Sequence, residues 1–267
     1  MPMEGGKFPI NSGGKKGGGR FSAPWFFLGV LFLFFLWELA ARISGSEWIL
    51  PGPLPVLKRF LLLGGTENFW YALGGTFLRV MLGIFISVPA GIIVGLIAGL
   101  DKRAGAFFSP LFSVIAATPV MSVILIAFLW LGGEQTPVFT AFLLVFPVMA
   151  ANTIAGIQSA DGNLRELFIL YRLSLGEKLR FLYIPSLLPF ITGGMESSLS
   201  LCWKVVVAAE VLVQPLRALG TGMQTAKSRL ETPELFAWTI GTVAAAALSQ
   251  GIFSFAFGLL KRMRRRP

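Results

Sequence analysis

Six apolar runs, each long enough to cross a lipid bilayer, constrain the fold of this chain more than any other feature. A helix needs about 20 apolar residues to cross hydrocarbon about 30 Å thick. The runs occupy residues 24–41, 77–100, 107–131, 137–157, 187–213 and 236–260. Only 13% of the 267 residues are charged, whereas about a quarter are charged in soluble domains. The sequence therefore predicts an all-α, polytopic membrane protein with six transmembrane helices in one domain, residues 23–260.

The segments on either side of this domain are basic. Residues 1–22 are rich in glycine and lysine, cannot bury a core, and are predicted to be disordered. With the N-terminus inside, 15 of the 23 lysines and arginines fall in inner segments and six in outer segments. Inner segments of membrane proteins carry the excess of basic residues, so both termini, including the basic tail 261–267, are predicted to be cytoplasmic. The net charge of +10 then follows from topology, and no nucleic-acid partner is expected.

Glycines and prolines inside the runs predict how the helices pack and bend. Gly91, Gly95 and Gly99 recur at every fourth position, which makes a face that another helix can approach closely. Pro89, Pro119 and Pro147 lie inside the second, third and fourth runs. A proline within a helix frees a backbone carbonyl and bends the helix. We therefore expect closely packed spans, with bends in the second, the third and the fourth.

The longest inner loop, about residues 158–186, separates the fourth and fifth runs. Apolar residues from Leu164 to Leu175 recur at helical spacing, and Gly176 is predicted to end that helix. The helical period resumes at Leu179, which predicts a helix, a glycine turn and a second helix. The apolar faces of such a unit must be covered. Two alternatives remain open at this point: docking into a groove of a cytoplasmic partner, or lying on anionic lipid.

The spacing within this loop resembles the signature loop of ATP-binding-cassette importer permeases. Gly176 is followed twelve and thirteen positions later by Leu188 and Pro189, and that family has a glycine and then Leu-Pro at a set distance. The family's best-known form has Glu-Ala-Ala where residues 171–173 of this chain read Tyr-Arg-Leu. The resemblance implies that the loop forms coupling helices that sit in a cleft of an ATPase subunit. The residues that it assigns to ATPase coupling are Arg172, Ser174, Leu175, Gly176, Glu177, Lys178 and Pro189.

Three further segments resemble the branch of these permeases that imports nitrate, taurine, aliphatic sulfonates and similar small solutes. They are ILPGPLPVL (49–57), TFLRVMLGIFISVPAGIIVGLIAG (76–99) and WKVVVAAEVL (203–212). With the loop, the resemblance covers about residues 30–258. It implies a protein of the bacterial inner membrane, surrounded by lipid. The partners that it implies are two ATPase subunits, a second copy of the permease and an extracytoplasmic solute-binding protein.

The chain shows no motif for ATP hydrolysis and no set of metal ligands. A P-loop needs G-x-x-x-x-G-K-[ST], and the nearest segment, Gly14-Lys15-Lys16, lacks the hydroxyl residue. The sequence contains no histidine and one cysteine, Cys202, so no metal site is predicted. We assign no catalytic residue and expect no cofactor in this chain. The resemblance implies that ATP and Mg²⁺ are bound by the partner ATPase.

Ionisable residues inside the fifth run are candidates for the translocation path, because charged groups within a membrane are costly. A spacing of seven places Glu196, Trp203 and Glu210 on one helical face, and Lys204 lies near Ser200. The predicted path residues are Ser200, Trp203, Lys204 and Glu210. Two interpretations of Lys204 stay open: it attracts an anionic solute, or it pairs structurally with a carboxylate.

The leading interpretation is a permease subunit that moves a small solute, with an anion as one candidate, using ATP hydrolysed by a separate subunit. A stand-alone secondary transporter driven by an ion gradient is the alternative. Such transporters often contain two related halves, and no convincing repeat relates the first three runs to the last three. An intramembrane enzyme is a third class, disfavoured because the chain lacks histidine and a paired-carboxylate motif. Transport by the purified chain in liposomes with only an ion gradient would separate the first two classes.

Overall fold

The computed structural model describes residues 23–263, and every regular element in that part of the chain is helical. The helices are α1 (Ala23–Ser44), α2 (Pro53–Gly64), α3 (Glu67–Leu100), α4 (Lys102–Ala117), α5 (Val120–Gln158), α6 (Gly162–Leu170), α7 (Leu175–Lys178), α8 (Ile184–Val213), α9 (Leu219–Ser228) and α10 (Thr232–Met263). A π-helical segment, Leu179–Tyr183, joins α7 to α8. The all-α prediction is confirmed for the described residues. The predicted tail 1–22 and residues 264–267 of the C-terminal tail lie outside them.

Four of these helices, α1, α3, α5 and α10, are long and apolar enough to cross a membrane. They contain the first, second, fourth and sixth predicted runs. The fifth run lies within α8, a helix of 30 residues that also carries Glu196, Lys204 and Glu210. Length and composition therefore support four spans among the described residues, and the count of six stays a prediction.

The third predicted run, 107–131, is not one helix, and that prediction is wrong. α4 ends at Ala117 and α5 begins at Val120, with Thr118 in an extended conformation (φ −76°, ψ 127°) between them. The ring of Pro119 disfavours the α conformation at the residue before it, so the proline breaks the helix instead of bending it. Residues 120–131 form the first arm of α5, which turns at Gly132 (φ 74°, ψ 177°) into a second arm. Pro89 lies inside α3 and Pro147 inside the second arm of α5, and the bends expected at these two prolines stay predictions.

The predicted glycine face is confirmed as the contact between α3 and the second arm of α5. A Cβ added at Gly91 would lie 2.6 Å from the Cβ of Met149, and one at Gly95 would lie 2.5 Å from the Cβ of Thr153. Real Cβ atoms essentially never come this close to another atom. The two backbones can therefore approach to this distance only because these positions carry no side chain.

Helix α10 closes the other side of the bundle through aromatic and small residues. Gly241 packs on Phe69, whose Cε2 would lie 2.8 Å from an added Cβ, and the ring centroids of Phe69 and Trp238 are 5.5 Å apart. The indole Nε1 of Trp203 in α8 donates to the hydroxyl of Ser249 at 2.8 Å. This hydrogen bond satisfies the polar edge of an otherwise buried ring, and the contacts together hold α8 between α3 and α10.

Candidate functional site

The inner loop forms a helix–turn–helix unit, as predicted, but the turn lies elsewhere. α6 ends at Leu170, and Arg172 adopts a left-handed conformation with φ 52°. The N–H of Leu173 then donates to the carbonyl of Phe168 at 3.1 Å, a bond that closes the end of α6 in the manner of a helix C-cap. Gly176 instead lies in the first turn of α7. The prediction that Gly176 ends the first helix is therefore wrong, because Arg172 makes the turn.

Ser174 and Glu177 begin α7 with a reciprocal pair of hydrogen bonds. The N–H and the hydroxyl of Ser174 both donate to Oε2 of Glu177 at 2.8 Å, and the N–H of Glu177 donates back to the Ser174 hydroxyl at 3.3 Å. This is the capping-box arrangement expected of a serine followed three residues later by glutamate. The Ser174 hydroxyl, and after it the Ser174 N–H, hold the pKa of Glu177 below its ordinary value. These hydrogen bonds stabilise the start of α7.

One side of this loop packs against the membrane helices. Leu182 and Tyr183 are buried in a cluster with Ile157 of α5 and Leu187 of α8. This packing joins the end of the loop and the start of α8 to α5.

The other side of the loop is not covered by any of the described residues. Leu170 is 79% exposed, Tyr171 70% and Phe181 60%. Arg172, Ser174, Gly176, Glu177 and Pro189 are exposed and Lys178 is half-buried, while of Leu175 only the backbone is described. Exposed apolar side chains beside charged ones are typical of an interaction surface.

The four predicted path residues of α8 do not share one face. Trp203 and Glu210 are buried inside the bundle, Ser200 is half-buried, and Lys204 is exposed. Ser197, which is also polar, lies on the same exposed face of α8 as Lys204. Lys204 forms no ion pair with any of residues 23–263, so the pairing alternative is not seen in this part of the chain. Path lining by these four residues stays a prediction.

Glu210 belongs to a buried polar cluster that the sequence did not predict. Its Oε2 accepts from the hydroxyl of Thr76 at 2.8 Å and from the N–H of Gly220 at 3.2 Å. Its Oε1 accepts from Nη1 of Arg79 at 3.2 Å, and Nη2 of Arg79 donates to Glu134 at 2.6 Å. Glu210 is fully buried, whereas the Glu134 side chain is 56% exposed. One guanidinium therefore bridges α8 to the second arm of α5, as the bidentate shape of arginine allows.

The same cluster fixes the loop that follows α8. Nη2 of Arg79 donates to the carbonyl of Leu216 at 2.9 Å, and the N–H of Leu216 donates to Oε1 of Glu134 at 2.6 Å. Nη1 of Arg79 also donates to the carbonyl of Arg217 at 3.3 Å. The available signal was that an arginine inside an apolar run must have a carboxylate partner. The identity of that carboxylate depends on how the helices pack, and no local sequence pattern reveals it.

Residues 87–266, more than half of the chain, match the family described as "Binding-protein-dependent transport system inner membrane component". The chain is 29% identical over 239 residues to the taurine transport system permease protein TauC of Escherichia coli (strain K12), covering 86% of this chain and 83% of that one. It is 26% identical to the bicarbonate transport system permease protein CmpB of Synechococcus elongatus, covering 72% and 73%. It is 28% identical to the putative aliphatic sulfonates transport permease protein SsuC of Bacillus subtilis (strain 168), covering 77% and 75%.

A solved structure shares the fold. It is a chain of a bacterial ABC transporter involved in the import of the acidic polysaccharide alginate, with a TM-score of 0.60 and 15% identity, covering 89% of this chain and 96% of that one. The structural neighbour has the same helical fold, and the family match covers residues 87–266, which include the loop between the fourth and fifth predicted runs. The chain is a member of the family of inner membrane components of binding-protein-dependent transport systems.

Proposed function

We propose that this chain is the permease subunit of an ATP-driven importer that moves a small solute, with an anion as the favoured candidate. Relatives whose names specify taurine, bicarbonate and aliphatic sulfonate transport support the import of a small solute. Bicarbonate and aliphatic sulfonates are anions, which favours an anion here. The observation that carries it is the loop 162–183, which is packed against the membrane helices on one side and bare on the other. That arrangement suits a lever on which a second protein acts.

The proposed partners follow from the absence of a P-loop in this sequence and from the transport systems for which its relatives are named. Energy would come from two separate ATPase subunits that bind ATP and Mg²⁺, because the sequence has no P-loop. A second copy of the permease, an extracytoplasmic solute-binding protein and membrane lipid complete the proposed assembly. Movement of the ATPase pair would be passed through α6 and α7 to α8, because Leu182 and Leu187 join the loop to that helix.

Six crossings in the inner membrane, with both termini in the cytoplasm, are the proposed topology. The 30 residues of α8 extend about 45 Å at 1.5 Å per residue, enough to cross hydrocarbon about 30 Å thick. The third crossing would consist of α4 and the first arm of α5, interrupted at Pro119. A break at membrane depth is tolerated where neighbouring helices cover the freed backbone groups. The distribution of basic residues supports the direction of insertion.

Replacing Gly176 with tryptophan is expected to abolish ATPase association and uptake without unfolding the permease. Among the described residues nothing lies within 4 Å of a Cβ added at Gly176, so we expect a large side chain there to meet a partner. An added indole in a closely packed protein contact typically costs about 1–3 kcal/mol or more. Co-purification of the ATPase and solute uptake in membrane vesicles measure the effect.

The matched control for this variant is Gly64→Trp, at a glycine of α2 that also has open space around it. Both proteins should show the melting temperature of the unmodified chain. Normal uptake by Gly176→Trp, or equal loss in both variants, would argue against the loop as the ATPase contact.

Replacing Lys204 with alanine is expected to reduce uptake of an anionic solute to about a tenth or less, because a hydrogen bond to a charged group contributes about 1.5–3 kcal/mol. Assembly with the ATPase should be unchanged, since Lys204 is exposed and far in sequence from the loop. Lys227→Ala, which removes an exposed lysine from α9, is the control. Uptake that stays at the control level would remove Lys204 from the path.

A further inference from the structure

The helix that leads from the loop into α8 contains one wide turn. In the π-helical segment Leu179–Tyr183 the N–H of Ile184 donates to the carbonyl of Leu179, five residues earlier. An α-helix closes each turn on the fourth residue back, so this turn holds one extra residue. Helical structure continues on both sides of it, as α7 before and α8 after. Single π turns inside α-helices are rare, and they occur frequently at functional sites.

Pro185 explains why the wide turn lies at this position. It is the second residue of α8, and it has no N–H to donate to the carbonyl of Phe181, four residues earlier. In a regular α-helix the proline ring would also clash with that carbonyl. One extra residue in the turn separates the ring from the carbonyl, so the proline favours the wide turn over a regular one.

The extra residue decides which side chain of the helix faces α5. Successive residues of an α-helix are rotated by about 100°. In an unbroken α-helix Arg180, seven residues before Leu187, would point about 20° from the direction of Leu187, and Leu179 about 80° from it. With one extra residue in the turn, Leu179 takes the direction about 20° from Leu187, and Arg180 turns away by about 100°.

The burial of these side chains agrees with the second arrangement. Leu179 is partly buried and packs against the cluster that contains Ile157 and Leu187. Arg180 is exposed, and its guanidinium carbon lies 5.5 Å from the ring centroid of Phe181, which is 60% exposed. An unbroken α-helix would direct the guanidinium towards Ile157, where a charge would lose its water without gaining a partner. The wide turn therefore selects the leucine for the packed face.

The same turn sets the direction of the exposed edge of α7. Glu177 lies ten residues before Leu187. An unbroken α-helix would point Glu177 about 80° from Leu187, whereas the extra residue increases this angle to about 180°. Glu177 and the neighbouring Gly176 are exposed, as this geometry requires. The start of α7 is thus turned directly away from α5.

We propose that Pro185 is a positioning residue for the loop. It holds the wide turn, and the wide turn directs Gly176 and Glu177 away from α5 and towards the ATPase subunit. The identity of the partner rests on the proposed function, whereas the rotation set by Pro185 does not depend on any partner.

Deleting Arg180 separates the effect of the proline from that of the apolar pattern. After the deletion Leu179 is the seventh residue before Leu187, the position that a regular α-helix directs towards α5. If Pro185 still enforces the wide turn, the eighth residue, Lys178, takes that place instead. Adding Pro185→Ala restores the missing N–H and permits a regular turn. The deletion alone should therefore be defective, and the deletion combined with Pro185→Ala should be close to normal.

Thiol labelling of the full chain in lipid nanodiscs measures the rotation without a partner. The natural Cys202 is buried, so a cysteine introduced by Leu179→Cys can be followed with a charged thiosulfonate. We expect the deletion to speed its labelling at least about fivefold, because thiols react as thiolates, which need water. Adding Pro185→Ala should return the rate to within about twofold of the unmodified background. Leu187→Cys, buried after the turn, should stay slow in every background, whereas unfolding would expose both thiols.

Co-purification of the ATPase and solute uptake test whether the partner depends on this rotation. Both should be lost in the deletion variant and should return to at least about half of the unmodified level when Pro185→Ala is added, because a regular turn again points α7 away from α5. Pro189→Ala is the matched control for the rescue. It removes the other proline of α8, which lies beyond the wide turn, so it should restore neither labelling nor uptake.

Three results would overturn the proposal. Slow labelling of Leu179→Cys in the deletion variant would show that Pro185 does not enforce the wide turn. Rescue by Pro189→Ala as complete as that by Pro185→Ala would exclude a specific role for Pro185. Restored labelling without restored ATPase association would show that the partner does not depend on the rotation. The labelling uses neither ATP nor a partner, so its outcome is independent of the ATPase association that tests the proposed function.

Discussion

Replacing Arg79 with leucine is expected to lower the free energy of unfolding by about 3–5 kcal/mol, the usual cost of removing one partner of a buried ion pair. The substitution leaves Glu210, which is fully buried, without the one cationic contact that it has among the described residues. The hydrogen bonds from Thr76 and Gly220 remain, but they do not supply a positive charge. A membrane protein has few ways to hydrate a carboxylate left in this position.

The cost should fall when the carboxylate is neutralised as well. Adding Glu210→Gln to Arg79→Leu keeps an oxygen that accepts from Thr76 and Gly220, and it removes the buried charge. We expect the double variant to recover most of the lost stability, because removing both partners of a pair costs much less than removing one. Unfolding in mixed micelles with increasing SDS, followed by tryptophan fluorescence, gives the comparison.

Glu134→Gln is the control, since that side chain is half exposed and its ion pair should contribute about 1 kcal/mol or less. A double variant as unstable as Arg79→Leu alone would show that the cluster is held by the shape of arginine and not by its charge.

Replacing Gly95 with leucine is expected to destabilise the bundle by about 3 kcal/mol or more and to lower the yield of folded protein. A Cβ at this position would lie 2.5 Å from the Cβ of Thr153 and 2.8 Å from the carbonyl oxygen of Ala150. The second of these is backbone, so α3 and α5 must separate along the whole contact. Overpacking of this kind costs about 1–3 kcal/mol where side chains can move, and more where they cannot.

Gly251→Leu in α10 is the matched control, because none of the described residues lies within 4 Å of an added Cβ there. It makes the same chemical change in another long membrane helix, and its melting temperature in detergent should equal that of the unmodified chain. If Gly95→Leu melted with the control, the close contact between α3 and α5 would not exist in the protein.

The two glycine positions show what local pattern can and cannot predict. The four-residue spacing of Gly91 and Gly95 correctly predicted a closely packed face, because small residues on one side of a helix let the backbone of a neighbouring helix approach closely. It did not predict that the partner is the second arm of α5, or that Gly251 of α10 faces open space. The neighbour of each helix face depends on how all the helices are arranged in the fold.

The loop between the fourth and fifth predicted runs also shows what the sequence can and cannot predict. The gap between the fourth and fifth apolar runs located the segment, and the apolar period predicted a helix before the turn and a second helix from Leu179. The first is present as α6, and the second stretch is the π-helical segment that continues into α8. The position of the turn was wrong, because a glycine is the expected residue for a left-handed conformation, and Arg172 adopts one instead. The bonds that close the end of α6 support that conformation, and they become visible only with the fold.

Hydrophobicity and charge, read along the sequence, determined that this chain is an all-helical membrane protein, and its motifs indicated the family. Those properties act over a few turns of helix, so a linear pattern records them. The tertiary structure decided that Pro119 breaks a predicted span, that Arg79 joins Glu134 to Glu210, and that Arg217 stands over Tyr71. Each of these depends on contacts between residues far apart in the chain, and such contacts are set by how whole helices pack against one another.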